Sequence, residues 1–352
     1  MWEENVRTVE PYVPGEQPKA SNLIKLNTNE NPYPPAPKVA ERLKEMDYSD
    51  FKKYPDPTCQ VLVDALAHYY HVDSEQVFVG VGSDDVLSMA FLTFFNSKKP
   101  VLFPDITYSF YDVWANLYRI PYKQIPLNED FTIDVNDYMQ ENGGIVIANP
   151  NAPTVVELAV SKIEKVLAGN PDSVVIVDEA YVDFGGESAL PLIDKYENLL
   201  VVQTFSKSRS MAGMRIGYAF GSKKLIKYLL DAKFSFNSYT MNRPTLELGA
   251  LAVEDDAYFK ENISKVVATR EWTKKELTRL GFTFGDSKTN FIFAKHESIP
   301  RDVIFTKLRE KNIIVRALGG ERIKDYLRIS IGTDSEMKCV IEELEKIIKE
   351  NV

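Results

Sequence analysis

Lys207 stands just past an apolar run, residues 199–203, amid small and hydroxylic side chains. Such a run reads as a buried strand. A lysine at its end has one chemistry that the other side chains lack: deprotonated, its amine condenses with an aldehyde to a Schiff base. Ser206 beside it and Arg215 eight positions on can both hold a phosphate, through a hydroxyl donor and a guanidinium fork. An aldehyde and a phosphate on one small molecule suggest pyridoxal phosphate, whose sites also need an acidic partner for the ring nitrogen. Taken alone, the segment 204–218 is equally well explained as a strand-to-loop connection with a solvated lysine.

Asp178 is the acidic candidate. It closes the apolar run 174–177, and a carboxylate there must be paired or hydrogen-bonded, since burying it unpaired costs several kcal/mol. A protonated pyridine nitrogen would satisfy it; so would a backbone amide or an arginine. Gly80, Gly82, Ser83 and Asp84 follow another apolar run and open a helix, where backbone N–H groups make an anion site. A plain N-cap at Ser83 or Asp84 explains them as well, and the spacing lacks the third glycine of a dinucleotide fingerprint. Residues 149–154, with Asn149, Asn151 and Ala152, form a turn after a strand. Tyr108 could stack on a planar ring or belong to the core. His68 and His71 lie three apart, but with only His296 besides them they are surface or packing residues and not metal ligands. No Ser-His-Asp arrangement is visible.

The elements that position these groups alternate. Strands are expected at 77–81, 101–103, 122–125, 145–148, 174–177, 199–202 and 216–220, with helices at 84–95, 108–118, 135–141, 162–168 and 223–233. That order predicts an α/β fold with a mostly parallel seven-stranded sheet wrapped by helices. Ligands bind beyond the carboxyl ends of such strands, where every motif above falls. Proline-rich residues 1–37 read as an extended N-terminal arm, leading to helices at 38–46 and about 61–69. Residues 38–242 form the large cofactor-binding domain. A long helical stretch from 243 to 280 bridges to a smaller α+β domain, 243–352, with strands at 291–294, 313–316 and 327–331 and helices at 302–310 and 335–350.

Composition removes several classes. Asp and Glu number 51 against 42 Lys and Arg, a net charge of −9. An acidic chain without a basic run is a poor partner for nucleic acid or anionic membrane. No apolar run reaches the ~20 residues needed to span a bilayer. The first residues lack a signal-peptide pattern, and the two cysteines, Cys59 and Cys339, fit a reducing compartment. A cytoplasmic enzyme is expected.

The ordered motifs resemble those of the aspartate-aminotransferase-like pyridoxal phosphate enzymes, and most closely the histidinol-phosphate aminotransferases, over nearly the whole chain. The residues that carry the likeness are 26–32, 53–57, 82–84, 178–181, 204–207 with Arg215, and 327–330. The resemblance implies that Lys207 carries the cofactor and shuttles a proton, that Asp178 pairs with the ring nitrogen, and that Tyr181 bonds the ring 3′-oxygen. It implies Tyr108 on the ring face and Ser83, Asp84, Ser206 and Arg215 at the phosphate. Tyr54 matches a tyrosine that reaches the neighbouring subunit's cofactor, so a homodimer with shared sites is implied. Arg328 matches the anchor of the substrate's acidic tail, with Arg316, Tyr12 and Asn29 on the substrate side. The implied reaction is histidinol phosphate plus 2-oxoglutarate to imidazole acetol phosphate plus glutamate. An aromatic aminotransferase and a threonine-phosphate-type decarboxylase share most of these motifs, and a cofactor-binding regulator is the non-enzyme alternative. One departure stands out: Ala152 occupies the place of the family's asparagine donor to the 3′-oxygen, and Val155 that of its glycine.

Overall fold

Strands buried on both faces read as unbroken apolar runs, because neither side of the sheet meets water. Residues 144–148 and 175–178 are buried at every position, so helices must cover both faces of the sheet they form. The computed structural model describes residues 1–19 and 22–351. Its strands in chain order are β1 (Ile24–Lys25), β2 (Val77–Gly80), β3 (Val101–Pro104), β4 (Tyr122–Ile125), β5 (Gly144–Ala148), β6 (Val175–Asp178) and β7 (Leu199–Thr204). There follow β8 (Gly217–Gly221), β9 (Phe282–Phe284), β10 (Phe291–His296), β11 (Ile313–Ile314), β12 (Arg316–Ala317) and β13 (Leu327–Ser330).

Seven of these make one sheet, as expected, and its strand order is β2-β8-β7-β6-β5-β3-β4, which the sequence did not predict. Only β8 runs against its neighbours. The carboxyl ends of β2, β3, β5, β6 and β7 therefore lie on one edge, together with the amino end of β8. That edge gathers Ser83, Asp178, Lys207 and Arg215 from distant parts of the chain. Alternate residues of each strand serve two cores. Val175 and Val177 pack on one face with the helix Val160–Gly169. Ile176 packs on the other with the helices Ser83–Phe94 and Tyr111–Tyr118.

A four-stranded antiparallel sheet, β12-β13-β10-β9, carries Arg316 and Arg328 as directly opposed residues. It packs on the helices Asp256–Arg279, Arg301–Glu310 and Asp334–Asn351 through a third core. The arm is not wholly free of structure, for β1 pairs in parallel with β11.

Several expected boundaries move for identifiable reasons. The stretch 243–280 breaks into two helices, Arg243–Glu254 and Asp256–Arg279, at Asp255. The expected strand 313–316 divides because β11 joins the arm and β12 joins β13. The helix expected from 108 begins at Tyr111, after the loop that presents Tyr108. The segment 135–141 is a short 3₁₀ turn over Val135–Tyr138. The edge strand β9 escapes sequence reading because three residues carry too little period.

The approach of β8 to the turn before the helix Ser83–Phe94 is closest at Gly217, where a Cβ would overlap the backbone of Gly82 and Ser83. Backbone cannot yield as a side-chain tip does. Gly217→Ala is expected to destabilise the protein by about 1–3 kcal/mol, read as a lower urea midpoint at unchanged m-value.

Candidate active site

β7 ends at Thr204, whose hydroxyl accepts from the backbone N–H of Ser206 at 3.1 Å and so turns the chain. The turn delivers Lys207 to a cavity of about 860 Å³. Its Nζ donates to the Thr28 carbonyl at 3.1 Å. Asn31 Nδ2 donates to the carbonyls of Lys207 and Ser208 at 3.1 and 3.2 Å. The segment 26–32 is thus the clamp on the lysine loop.

Tyr12, Asn29, Tyr108, Tyr181, Arg316 and Arg328 line the same cavity. Tyr12 stacks on Phe110 with centroids 4.2 Å apart, and Arg316 Nη2 donates to the Val13 carbonyl at 3.4 Å, which folds the arm over the cavity mouth. Arg328 is partly buried and donates from Nη2 to the Asn27 carbonyl at 2.8 Å, while its Nε has no partner. Burial pushes its pKa down, and neighbouring Arg316 adds to that. Neither arginine forms an ion pair among the described residues.

Beside the cavity, Arg215 Nη2 meets Asp84 Oδ2 at 3.3 Å and Arg215 Nη1 donates to Ser206 Oγ at 3.4 Å. Tyr108 Oη donates to the other Asp84 oxygen at 2.8 Å, and burial with that carboxylate raises the Tyr108 pKa well above its usual value. Gly82, at φ 86°, leaves the space that the Arg215 guanidinium fills. Ser83 is the first residue of the helix beyond it, so free N–H groups, a hydroxyl and a guanidinium converge there. That donor set suits a phosphate.

Residues 21–344 match the family described as aminotransferase class I and II. The chain belongs to that family. It is 52% identical to the histidinol-phosphate aminotransferase of Lactococcus lactis subsp. cremoris (strain MG1363), across 99% of this chain and 98% of that one. In fold it is similar to the histidinol-phosphate aminotransferase of Sinorhizobium meliloti in complex with pyridoxal-5′-phosphate. There the TM-score is 0.85, with 22% identity, covering 94% of this chain and 92% of that one. It also shares its fold with L-threonine-O-3-phosphate decarboxylase from Porphyromonas gingivalis, at a TM-score of 0.77 and 22% identity over 93% of this chain and all of that one. An aminotransferase of this family must therefore take its specificity from side chains in the site, because the same fold hosts a decarboxylase.

Three features of this aminotransferase were not legible in its sequence. The first is Tyr111, which is fully buried and donates to Asp178 Oδ2 at 2.8 Å. The second is the internal role of Glu179, next to the Asp178 that the sequence singles out. Successive residues at a strand end point to opposite faces, and Glu179 turns into the core to accept from Ser188, Ala189 and Gln203 at 2.6 to 2.8 Å. The third is what Asn29 contacts: expected on the substrate side, it lines the cavity but spends both ends of its amide inside the protein, on Tyr181 and Ser330. Tyr54 lies apart from the cavity. It is 79% exposed and its ring meets Tyr239, with centroids 4.7 Å apart.

Ala152 lines the cavity as an apolar wall. Val155 has φ 65°, the left-handed region in which a β-branched residue is strained. Its packing in a cluster with Phe291 and Phe293 holds it there, so the backbone keeps the conformation a glycine would take without the glycine.

Among the described residues no cation stands beside Asp178, and burial pushes its pKa up to about 6, against the lowering effect of the Tyr111 bond and the Ala180 N–H. The folded state therefore holds this proton more tightly than the unfolded chain does. The resulting penalty is absent below about pH 4, grows as pH rises through 6, and is complete above that. In cofactor-free protein Asp178→Asn is expected to raise stability at pH 7.5 by about 2 kcal/mol and to leave it little changed at pH 4. Urea unfolding at the two pH values measures the difference.

Proposed function

We propose that this aminotransferase uses pyridoxal phosphate to move the amino group of histidinol phosphate to 2-oxoglutarate. The observation that carries the substrate assignment is the pair Arg316 and Arg328. Two guanidiniums face one cavity from opposed strands without acidic partners. Histidinol phosphate has no α-carboxylate, so both can serve its dianionic phosphate. The L. lactis relative bears the name of the same activity.

The residues fit the cofactor. A buried carboxylate without a cation suits a protonated ring nitrogen. The Arg215, Ser206 and Ser83 cluster suits its phosphate; the Asp84 side chain is already engaged by Arg215 and Tyr108, so we assign Asp84 a part through its backbone N–H. When bound, the cofactor supplies an electron sink for the reacting carbon. Lys207 Nζ would hold it and, once released by the incoming substrate amine, would take the proton from the amine-bearing carbon of the substrate. Asp178 keeps the ring nitrogen protonated, Tyr181 donates to the 3′-oxygen, and Tyr108 covers the ring face. Tyr12 and the arm exclude water over the substrate.

We further propose that the enzyme works in the cytoplasm as a homodimer, with Tyr54 serving the neighbour's phosphate. Tyr54 and Tyr239, whose rings meet, are both exposed, as are Tyr48, Phe51 and Phe236, and exposed apolar side chains that gather in a patch mark interaction surfaces.

Borohydride reduction of the yellow protein should fix the cofactor on Lys207; an adduct on another lysine overturns the assignment. Turnover should favour histidinol phosphate over histidinol, phenylalanine and threonine phosphate. Arg328→Ala should weaken the phosphorylated substrate at least about tenfold in kcat/KM. Faster turnover of phenylalanine would point to an aromatic aminotransferase, and carbon dioxide from threonine phosphate to a decarboxylase.

For the dimer, mixing inactive Lys207→Ala with inactive Tyr54→Ala should regenerate activity, because a hybrid contains one site free of both defects. Complete subunit exchange without recovery would refute a shared site.

A further inference from the structure

Asn29 sits at the inner end of the arm, 1% exposed and at φ 55°. Its hydrogen bonds determine which way its amide faces. The backbone N–H of Asn29 donates to Ser330 Oγ at 2.9 Å, so the Ser330 hydroxyl receives one hydrogen and has its own to give. That hydrogen goes to Asn29 Oδ1, also at 2.9 Å. With its carbonyl end fixed on Ser330, the amide presents Nδ2 to Tyr181 Oη at 3.0 Å.

An NH₂ group can only donate. The Tyr181 oxygen is therefore an acceptor on that side, and its own hydrogen must point elsewhere. Among the described residues the Tyr181 hydroxyl has this one partner. The open direction is the cavity, where Lys207 Nζ lies 5.7 Å from the centre of the Tyr181 ring. Ala152, on the same cavity wall, offers no side-chain donor.

We infer that Asn29 is a positioning residue that aims the Tyr181 hydroxyl hydrogen into the cavity, at the cofactor's ring oxygen. The inference rests on the cofactor reading above. It also gives the arm and β13 a direct link to the reacting group. Ser330 lies two residues from Arg328 on β13, and Asn290 Nδ2 holds the Asn29 carbonyl at 2.9 Å. Lys207 and Arg328 are charged groups beside Tyr181. A neutral replacement of Asn29 leaves both unchanged, so a shift in the site cannot come from altered charge.

Asn29→Gly tests this, because glycine accepts the left-handed backbone without strain. The readout is the pH midpoint of the holoenzyme's visible absorbance. A donor to the ring oxygen favours the form with charge on that oxygen, and its loss makes the site hold a proton longer. Asn29→Gly should raise the midpoint by about half a pH unit or more, Tyr181→Phe should raise it too, and the pair should shift no further than Tyr181→Phe alone. A structural role only would lower thermal stability and leave the midpoint in place. If Asn29→Gly does not fold, Ser330→Ala, which frees the amide to turn, should move the midpoint in the same direction. A parental midpoint in the Asn29 or Ser330 variant, with Tyr181→Phe shifted, overturns the inference alone. No shift in Tyr181→Phe overturns it together with the place given to Tyr181, while a borohydride adduct on Lys207 would still uphold the cofactor reading.

Discussion

A carboxylate buried at the end of an apolar strand, with no cation beside it among the described residues, is the constraint around which this protein is arranged. The desolvation of Asp178 costs several kcal/mol, as much as burying one or two of its valine neighbours returns at about 1.5–3 kcal/mol each. Tyr111 and the Ala180 N–H offset part of it. The remainder is a standing demand for a positive partner.

The second constraint is the hold on Lys207. A lysine loop between two strands would be free to wander if it were tied only to its own sheet. Thr28 and Asn31 bind it from the arm, and Asn29 carries the same segment to Tyr181 and Ser330. The Lys207 loop, the arginine strand and the arm are thus one hydrogen-bonded unit.

Local rules yield at the site and are compensated by packing around it. Val155 keeps a left-handed backbone because Phe291 and Phe293 enclose it. Asn149 and Asn151 spend their amides on Leu158, Ile106 and Thr154, which locks the loop beside Ala152 to the one that presents Tyr108. This loop needs its asparagines for shape, whatever else they might contact.

The sequence by itself determined the alternation of strands and helices, the sheet edge that collects the motifs, and the chemical types gathered there. Those depend on period and apolar runs, which are local and strong: β5, β6 and β7 were readable because they are buried at every position. Tertiary structure alone decided where Glu179 spends its carboxylate, on Ser188, Ala189 and Gln203, because that depends on which core lies on each side of β6. It also decided the break at Asp255, the division of the strand near 315, and the partners of Tyr111 and Asn29. Asn29 and Tyr181 are 152 positions apart and Asn29 and Ser330 are 301 apart. No periodicity links such residues; only the packing of three cores brings them within hydrogen-bond reach.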